Sequence, residues 1–402
     1  MKPASFATHV CACIAIAYAW RAARFAPTWV RIPPVDELPN SPSVSIVVPA
    51  RDEERSIERC VRSLLAQCAA DFEVIVVDDG STDRTREILG RLAAEDARLR
   101  VIDGADLPPG WIGKPWALHQ GAAAARGDWF LFTDADSVHA RHSVTSVLAF
   151  ALAQHVDAVS TITLQELGTF AERAILPSIL GLVFFSQGNF DQLNDPAQTR
   201  RALANGQYIL ISRRAYNGLG GHAALRREIV EDIELARRFK ADGRFRLMMA
   251  AGEHLAGVRM YHSFGEIWNG FTKNLYFGPR GNLWALGGGI VFVASISVLP
   301  PLLALNAAGR RRPLEALEAL MTSGALIATG GWAMSSVGLD RRLGWFQPLG
   351  TAVLAAIAVN STIAVLSGRG VEWRGRRYVG GSVDSTRATE AERQLQPDPA
   401  RT

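Results

Sequence analysis

Asp134 and Asp136 stand two residues apart at the end of Trp129-Phe-Leu-Phe-Thr133, a run with strong strand preference. At the carboxyl end of a strand, that spacing aims two oxygen ligands at one point. Such a pair suits a hard divalent cation, Mg2+ or Mn2+, and a cation there would typically neutralise a bound diphosphate. Solvated turns use the same spacing, so the pair gains weight only from its company. Arg51-Asp52-Glu53 follows Val44-Ser-Ile-Val-Val-Pro-Ala50, and Asp78-Asp79 closes Glu73-Val-Ile-Val-Val-Asp-Asp79. One such cluster could be a helix cap. Three at the ends of three successive strands predict a site.

The elements that must position these groups alternate. After the Val44–Ala50 strand, Ile57, Cys60, Val61, Leu64, Leu65 and Cys68 recur at helical spacing. A strand at 73–79 is followed by a helix from Thr85 to Ala97, a short strand at 99–102, a helix from Trp116 to Ala125 and a strand at 128–133. Units of this length imply an α/β fold with a mainly parallel, doubly wound sheet. Such sheets take ligands at the carboxyl ends of their strands.

The 402 residues suffice for one large or two modest domains. Ala4–Trp20 carries no charge, with Lys2 before it and Arg21, Arg24 and Arg31 after it. That asymmetry favours a membrane anchor with the downstream side cytosolic, and a cleaved signal peptide is the competing reading. Uncharged stretches at 281–309, 319–339 and 343–368 predict two or three C-terminal membrane helices. Pro300-Pro301 predicts a break in the first, which would make it re-entrant. The net charge of +4 arises from arginines near these stretches, so it reads as membrane-surface charge and not as a nucleic-acid footprint. Cys11, Cys13, Cys60 and Cys68 form no C-x-x-C and read as reduced structural thiols. The expected organisation is an anchor over 1–24, an α/β domain over 42–257, an interfacial amphipathic segment over 258–280, a membrane region over 281–368 and a disordered tail over 380–402. In the interfacial segment, Phe264, Ile267, Trp268, Phe271 and Leu275 share one helical face. The apolar run Ile175–Phe185 is too short to span and suits a re-entrant or interfacial stretch.

Residues 44–257 resemble a family 2 glycosyltransferase of GT-A fold. The resemblance rests on Val44-Ser-Ile-Val-Val-Pro-Ala-Arg-Asp-Glu-Glu54, Val77-Asp-Asp-Gly-Ser-Thr-Asp83, Gly110-Trp-Ile-Gly-Lys-Pro-Trp-Ala-Leu118, Thr133-Asp-Ala-Asp136 and Val230-Glu-Asp232, in that order and spacing. With the apolar segments, the chain is similar to membrane-bound members that glycosylate lipids, including ceramide glucosyltransferase-like and carotenoid- or hopanoid-associated enzymes. The resemblance implies a nucleotide sugar, UDP-linked, bound by Pro49, Ala50, Arg51, Glu53, Asp78 and Asp79. It places Lys114 at the diphosphate, where a point charge on a flexible stem suits. It makes Asp134 and Asp136 the anchors of the metal–diphosphate and Asp232 the general base, with Glu231 beside it. Viewed alone, Glu228–Arg238 is an ordinary helix start with acids near its positive end. Gly206, Gln207, His222, Arg259 and Trp268 would lie on the acceptor side; His222 reads equally well as a plain loop residue. The implied location is the inner membrane, with the catalytic domain in the cytosol.

One departure narrows the expectation. Processive members carry Gln-x-x-Arg-Trp after the base, whereas the corresponding region here reads Val258-Arg-Met-Tyr-His-Ser-Phe-Gly-Glu-Ile-Trp268. Transfer of a single sugar to a lipid hydroxyl or carboxyl is therefore favoured over a polysaccharide synthase. Two other readings stand beside it. A non-catalytic nucleotide-sugar-binding subunit would not need the carboxylates. Asp134-Ala-Asp-Ser-Val138 also fits a haloacid-dehalogenase-type phosphatase, but there the signature follows the first strand of the domain.

Overall fold

The valine- and isoleucine-rich runs form the middle of a seven-stranded sheet because they are apolar on both faces, as strands covered on both sides must be. The structure, a computed structural model, describes residues 3–25, 30–69, 71–187, 189–199, 201–277, 283–367, 369, 371–373, 376–379 and 382–383. Helix α1 (Pro3–Phe25) precedes β1 (Val44–Ala50), α2 (Ile57–Leu65), β2 (Phe72–Asp78), α3 (Thr85–Glu95), β3 (Leu99–Asp103), α4 (Gly113–Ala124) and β4 (Trp129–Phe132). Next come β5 (Ser137–His139), α5 (Ser143–Ala153), β6 (Ala158–Ile162), β7 (Leu164–Gln165), α6 (Phe170–Gln187), α7 (Phe190–Asn194), β8 (Ile209–Ser212) and α8 (Arg213–Gly218). The α/β body closes with α9 (Glu231–Asp242), β9 (Leu247–Ala251) and β10 (Ala256–Val258).

The sheet order is β3-β2-β1-β4-β8-β6-β9. The pairs β1–β2, β1–β4, β2–β3 and β6–β9 are parallel, while β8 runs antiparallel to both β4 and β6. The mainly parallel expectation holds, with one reversed strand that no local pattern announces. Alternation then sorts the strand residues. Ile46, Val48, Val74 and Val76 pack with α2, α3 and α5 on one face, and Val47, Ile75 and Val77 with α4, α8 and α9 on the other. Gly121 lets α4 lie tight on the sheet, since a Cβ there would come within 2.4 Å of Val47 Cγ1. A small second sheet, β5-β10-β7, sets Val258 against Ser137 and Gln165, beside the Asp134–Asp136 turn.

The helical part follows. α10 (Phe264–Phe277) leads to α11 (Leu283–Val293), a π-helical turn (Ala294–Val298), α12 (Leu299–Gly309), α13 (Pro313–Ser336), a 3-10 segment (Arg341–Phe346) and α14 (Gln347–Leu366). Pro300 and Pro301 lack the N–H groups that would bond back into residues 296 and 297; the α-helical ladder gives way there to the π-helical turn, but residues 283–309 stay helical throughout, without the expected break. The run Ile175–Phe185 is the centre of the 18-residue α6, longer than expected. The apolar face of α10 is partly covered within the protein: Ile267 and Phe271 are buried against Ala174, Ile175 and Ile179 of α6 and Ile357 of α14, while Phe264 at its start is exposed. Phe6–Arg24 and Arg341–Ala364 are the two helices, among the described residues, long and apolar enough to cross a membrane. The C-terminal region thus has one such helix against the two or three expected. Within the expected tail, Ser382–Val383 pairs as β13 with β12 (Arg376–Val379), which pairs in turn with β11 (Val371–Trp373). The rest of the expected tail lies outside the described residues.

Candidate active site

Two strand-end loops are locked together at the carboxyl edge. The Asp79 N–H donates to the Ala50 carbonyl at 2.8 Å, and Arg51 Nη1 donates to the Asp79 carbonyl at 2.5 Å. Gly80 takes φ +68°, a left-handed turn that suits glycine. Ser81 donates to Asp78 Oδ1 through both its hydroxyl, at 2.5 Å, and its N–H, at 3.2 Å. Asp78 is therefore committed to the turn and does not reach the cavity, whereas Asp79 lines it with Pro49, Ala50, Arg51 and Glu53.

Opposite stands an ion cluster. Lys114, second residue of α4, places Nζ 2.7 Å from Asp134 Oδ1 and 2.9 Å from Glu231 Oε1. Burial opposes its charge, but Asp134, Glu231 and Asp232 outweigh burial and hold its pKa well above the ordinary lysine value. Asp232 sits in the first turn of α9. Its Oδ2 accepts from the Gly206 N–H at 2.9 Å and its Oδ1 from its own neighbour's N–H, Ile233, at 2.8 Å. Burial, then the negative Glu231 beside it, push the Asp232 carboxyl up to about 6; Lys114 and the two N–H donors pull the other way. A carboxylate tuned toward neutrality is suited to take a proton. A glycine at 206 leaves room for this contact: a Cβ would lie 3.2 Å from both Asp232 Oδ2 and Lys114 Nζ, which would have to give by a few tenths of an ångström.

Asp134 and Asp136 both line the same cavity. Among the described residues, no cluster of three His, Cys, Asp or Glu side chains forms a protein-only metal cage. Two hard carboxylates fit Mg2+ or Mn2+ nonetheless, because such an ion commonly takes one or two carboxylates plus water and substrate phosphate oxygens.

The cavity, about 1190 Å3, does not stop at the sheet. It continues past Gly206, Gln207 and Asp232 to Phe271 and Leu275 of α10, Phe292 of α11 and Trp332 of α13. Tyr18 and Arg21 of α1 also line it, a contribution the sequence reading missed. Nothing in a uniformly apolar segment says which neighbour it packs against; Arg21 read only as flanking charge.

Three of the residues assigned to the acceptor side lie off the cavity wall. His222 is buried, its Nδ1 2.9 Å from the Tyr216 hydroxyl, and burial first, then the charge of Lys114, depresses its pKa to about 3. Arg259 is spent on Glu172, with contacts of 3.1 and 3.2 Å. Trp268 packs among α6, α10 and α14. Gln207 does line the cavity, its Oε1 accepting from the Thr163 hydroxyl at 2.5 Å. The Asn205 side chain ties this loop to the carbonyl of Thr161 in β6 at 2.9 Å.

Residues 45–233 match the family described as glycosyl transferase family 2. The chain is 27% identical, over 363 residues, to the 4,4'-diaponeurosporenoate glycosyltransferase of Staphylococcus aureus, covering 84% of this chain and 89% of that protein. Its fold is similar to that of a mannosyltransferase from Pyrobaculum calidifontis, solved with GDP-Man and Mn2+: TM-score 0.50, 19% identity, 89% of this chain and 97% of the other. The strand-end loops, the carboxylate pair and the family match converge on residues 45–233 as a family 2 glycosyltransferase domain of GT-A fold, and the chain is a glycosyltransferase.

Proposed function

We propose that the chain moves one sugar, with inversion, from a UDP-linked nucleotide sugar to a hydroxyl or carboxyl of a membrane lipid. The observation that carries this reading is the single cavity with a carboxylate-rich sheet end and an apolar helical end. In it Pro49, Ala50, Arg51, Glu53 and Asp79 hold the nucleoside, and Lys114 faces the diphosphate. Asp134 and Asp136 hold a divalent cation, which supplies charge neutralisation of the leaving phosphate. Asp232 takes the proton of an acceptor hydroxyl, and Glu231, through Lys114, keeps the cluster's charge balanced. A transfer to a carboxylate would need no such base, so loss of Asp232 separates the two acceptor groups.

Several observations support a lipid acceptor and a membrane location. Outward-facing apolar side chains such as Ile16, Leu305, Leu314, Met321 and Trp345 are exposed on the helices. The Staphylococcus relative is named for diaponeurosporenoate. The Pyrobaculum structure holds GDP-Man and Mn2+, which makes a GDP-sugar the donor to test beside UDP-sugars. The donor side faces the cytosol in this reading. Mass spectrometry of lipid extracts from cells with and without the protein tests it: one lipid class heavier by a single sugar is expected, and a ladder of added sugars would indicate a polysaccharide synthase instead.

A further inference from the structure

Two buried side chains behind the cavity wall, Thr133 and His139, lie between the two carboxylate-bearing segments of the site. Thr133 is the residue after β4 and the one before Asp134. Its hydroxyl donates to the Gln207 carbonyl at 2.8 Å. A hydroxyl has one proton, so the 3.0 Å contact between Thr133 Oγ1 and His139 Nε2 must be donated by the imidazole. That fixes the tautomer: Nε2 carries the proton and Nδ1 does not. His139 is fully enclosed against Tyr208, and Nδ1 has no hydrogen-bond partner among the described residues. Burial keeps this imidazole neutral, with its pKa depressed to about 3. Thr133 and His139 are 1% and 5% exposed, and neither lines the cavity, so neither can touch substrate.

The endpoints give this chain its meaning. On one side, Thr133 is bonded directly to Asp134. On the other, Gln207 directly follows Gly206, whose N–H holds Asp232 Oδ2. β4 and the Asn205–Gln207 loop belong to distant parts of the chain, and β4 and β8 pair only from Phe132↔Ile209 onward. Beyond that last rung the Thr133 hydroxyl ties the two segments from behind the wall, while Lys114 bridges Asp134 and Glu231 from the cavity side.

We propose that Thr133 and His139 are positioning residues for the transfer: His139 orients the Thr133 hydroxyl, and Thr133 fixes the Asp134–Asp136 turn against the loop that holds Asp232. The inference rests on the reading of Asp232 as the base. Misplacing reacting groups by about 1 Å can cost about 10²-fold in rate, while a group behind the wall leaves ground-state binding largely alone.

The test uses the full-length protein in lipid nanodiscs, with the labelled nucleotide sugar that the wild type transfers and a lipid extract as acceptor. Thr133→Val keeps the shape and removes the link. It is expected to lower kcat about 10- to 100-fold, with donor KM and UDP affinity within about twofold of wild type. Thr133→Ser should restore most of kcat. His139→Leu should give a smaller kcat loss, and His139→Gln, which can still donate, should recover it. Unchanged kcat in Thr133→Val, or equal loss in Val and Ser, would overturn the proposal, as would a rise in donor KM with kcat untouched. If Thr133→Val does not fold, the two His139 variants decide by the same criteria. Asp232→Asn run in parallel separates the two claims. Wild-type turnover in it defeats the base reading, while a kcat loss in Thr133→Val rescued by Ser still supports the link.

Discussion

The sheet-edge half of the cavity, proposed to hold the donor, and the helical half, proposed to hold the acceptor, are built on opposite principles. At the sheet edge, short loops are tied by hydrogen bonds among backbone and polar side chains: the Asp79 N–H to the Ala50 carbonyl, the Arg51 guanidinium to the Asp79 carbonyl, the Ser81 hydroxyl to the Asp78 carboxylate and the Gly206 N–H to the Asp232 carboxylate. In the helical half the wall comes from α1, α10, α11 and α13, mostly through apolar side chains such as Phe271, Leu275, Phe292 and Trp332. Charge is concentrated in the first, where Lys114 stands among Asp134, Glu231 and Asp232, and sparse in the second. Substitutions in the donor half should therefore strike turnover and donor binding, and those in the acceptor half the affinity for the lipid.

The largest effect is expected from Asp136→Ala. Loss of a cation anchor at the diphosphate should abolish transfer and weaken metal-dependent UDP binding, read by isothermal titration with and without Mn2+. Full activity of this variant in EDTA would remove the metal from the account. Asp232→Asn comes next, with a fall of about 10²–10⁴-fold in kcat and nearly unchanged donor affinity. The pH profile carries a sign. The proposed base acts as a carboxylate, so the wild-type rate is expected to rise as pH climbs through about 6, and the acid limb to vanish in the variant.

The same residue links site to stability. The raised pKa means the folded state binds the Asp232 proton more tightly than the unfolded chain, whose carboxyl lies near 3.8. That stabilisation is complete below the unfolded value and is lost as pH rises through about 6. Asp232→Asn should then melt higher than wild type at pH 7.5 and show little difference at pH 4; a lower melting temperature at pH 7.5 would mean that Lys114 outweighs burial. Lys114→Met is expected to weaken nucleotide-sugar binding about tenfold or more, because Asp134, Glu231 and Asp232 would face one another without their cation. The smallest effect belongs to the acceptor half. Trp332→Ala should raise the lipid KM several-fold, with donor KM unchanged; a change in donor KM instead would erase the division between the halves.

The donor half was legible because its signals are local. Strands ending in acids and a glycine after Asp79 state their own geometry, whereas Lys114, two residues ahead of the helix expected from Trp116, is placed by the family resemblance. The acceptor half was not, because an apolar face does not name its partner. Phe264–Leu275 reads as a membrane-interface face, yet Ile267 and Phe271 of that face are buried against α6 and α14. His222 follows a Gly-Gly pair that suggests an exposed loop, yet Gly221 lies so close to Tyr216 that the imidazole is drawn under it. The reversal of β8 was equally hidden, since its partners β4 and β6 are set by the long excursion through α6 and α7.

The proposed function requires one chamber to join a nucleotide sugar to a membrane lipid. The most direct test reconstitutes the full-length protein in liposomes made from a lipid extract and supplies labelled UDP- and GDP-sugars with Mn2+. The lipid phase is then analysed for label and mass. The account predicts one lipid class gaining a single sugar, transferred by the wild type and not by Asp136→Ala. Label found only in water-soluble products, or the same lipid labelling by both proteins, would contradict it.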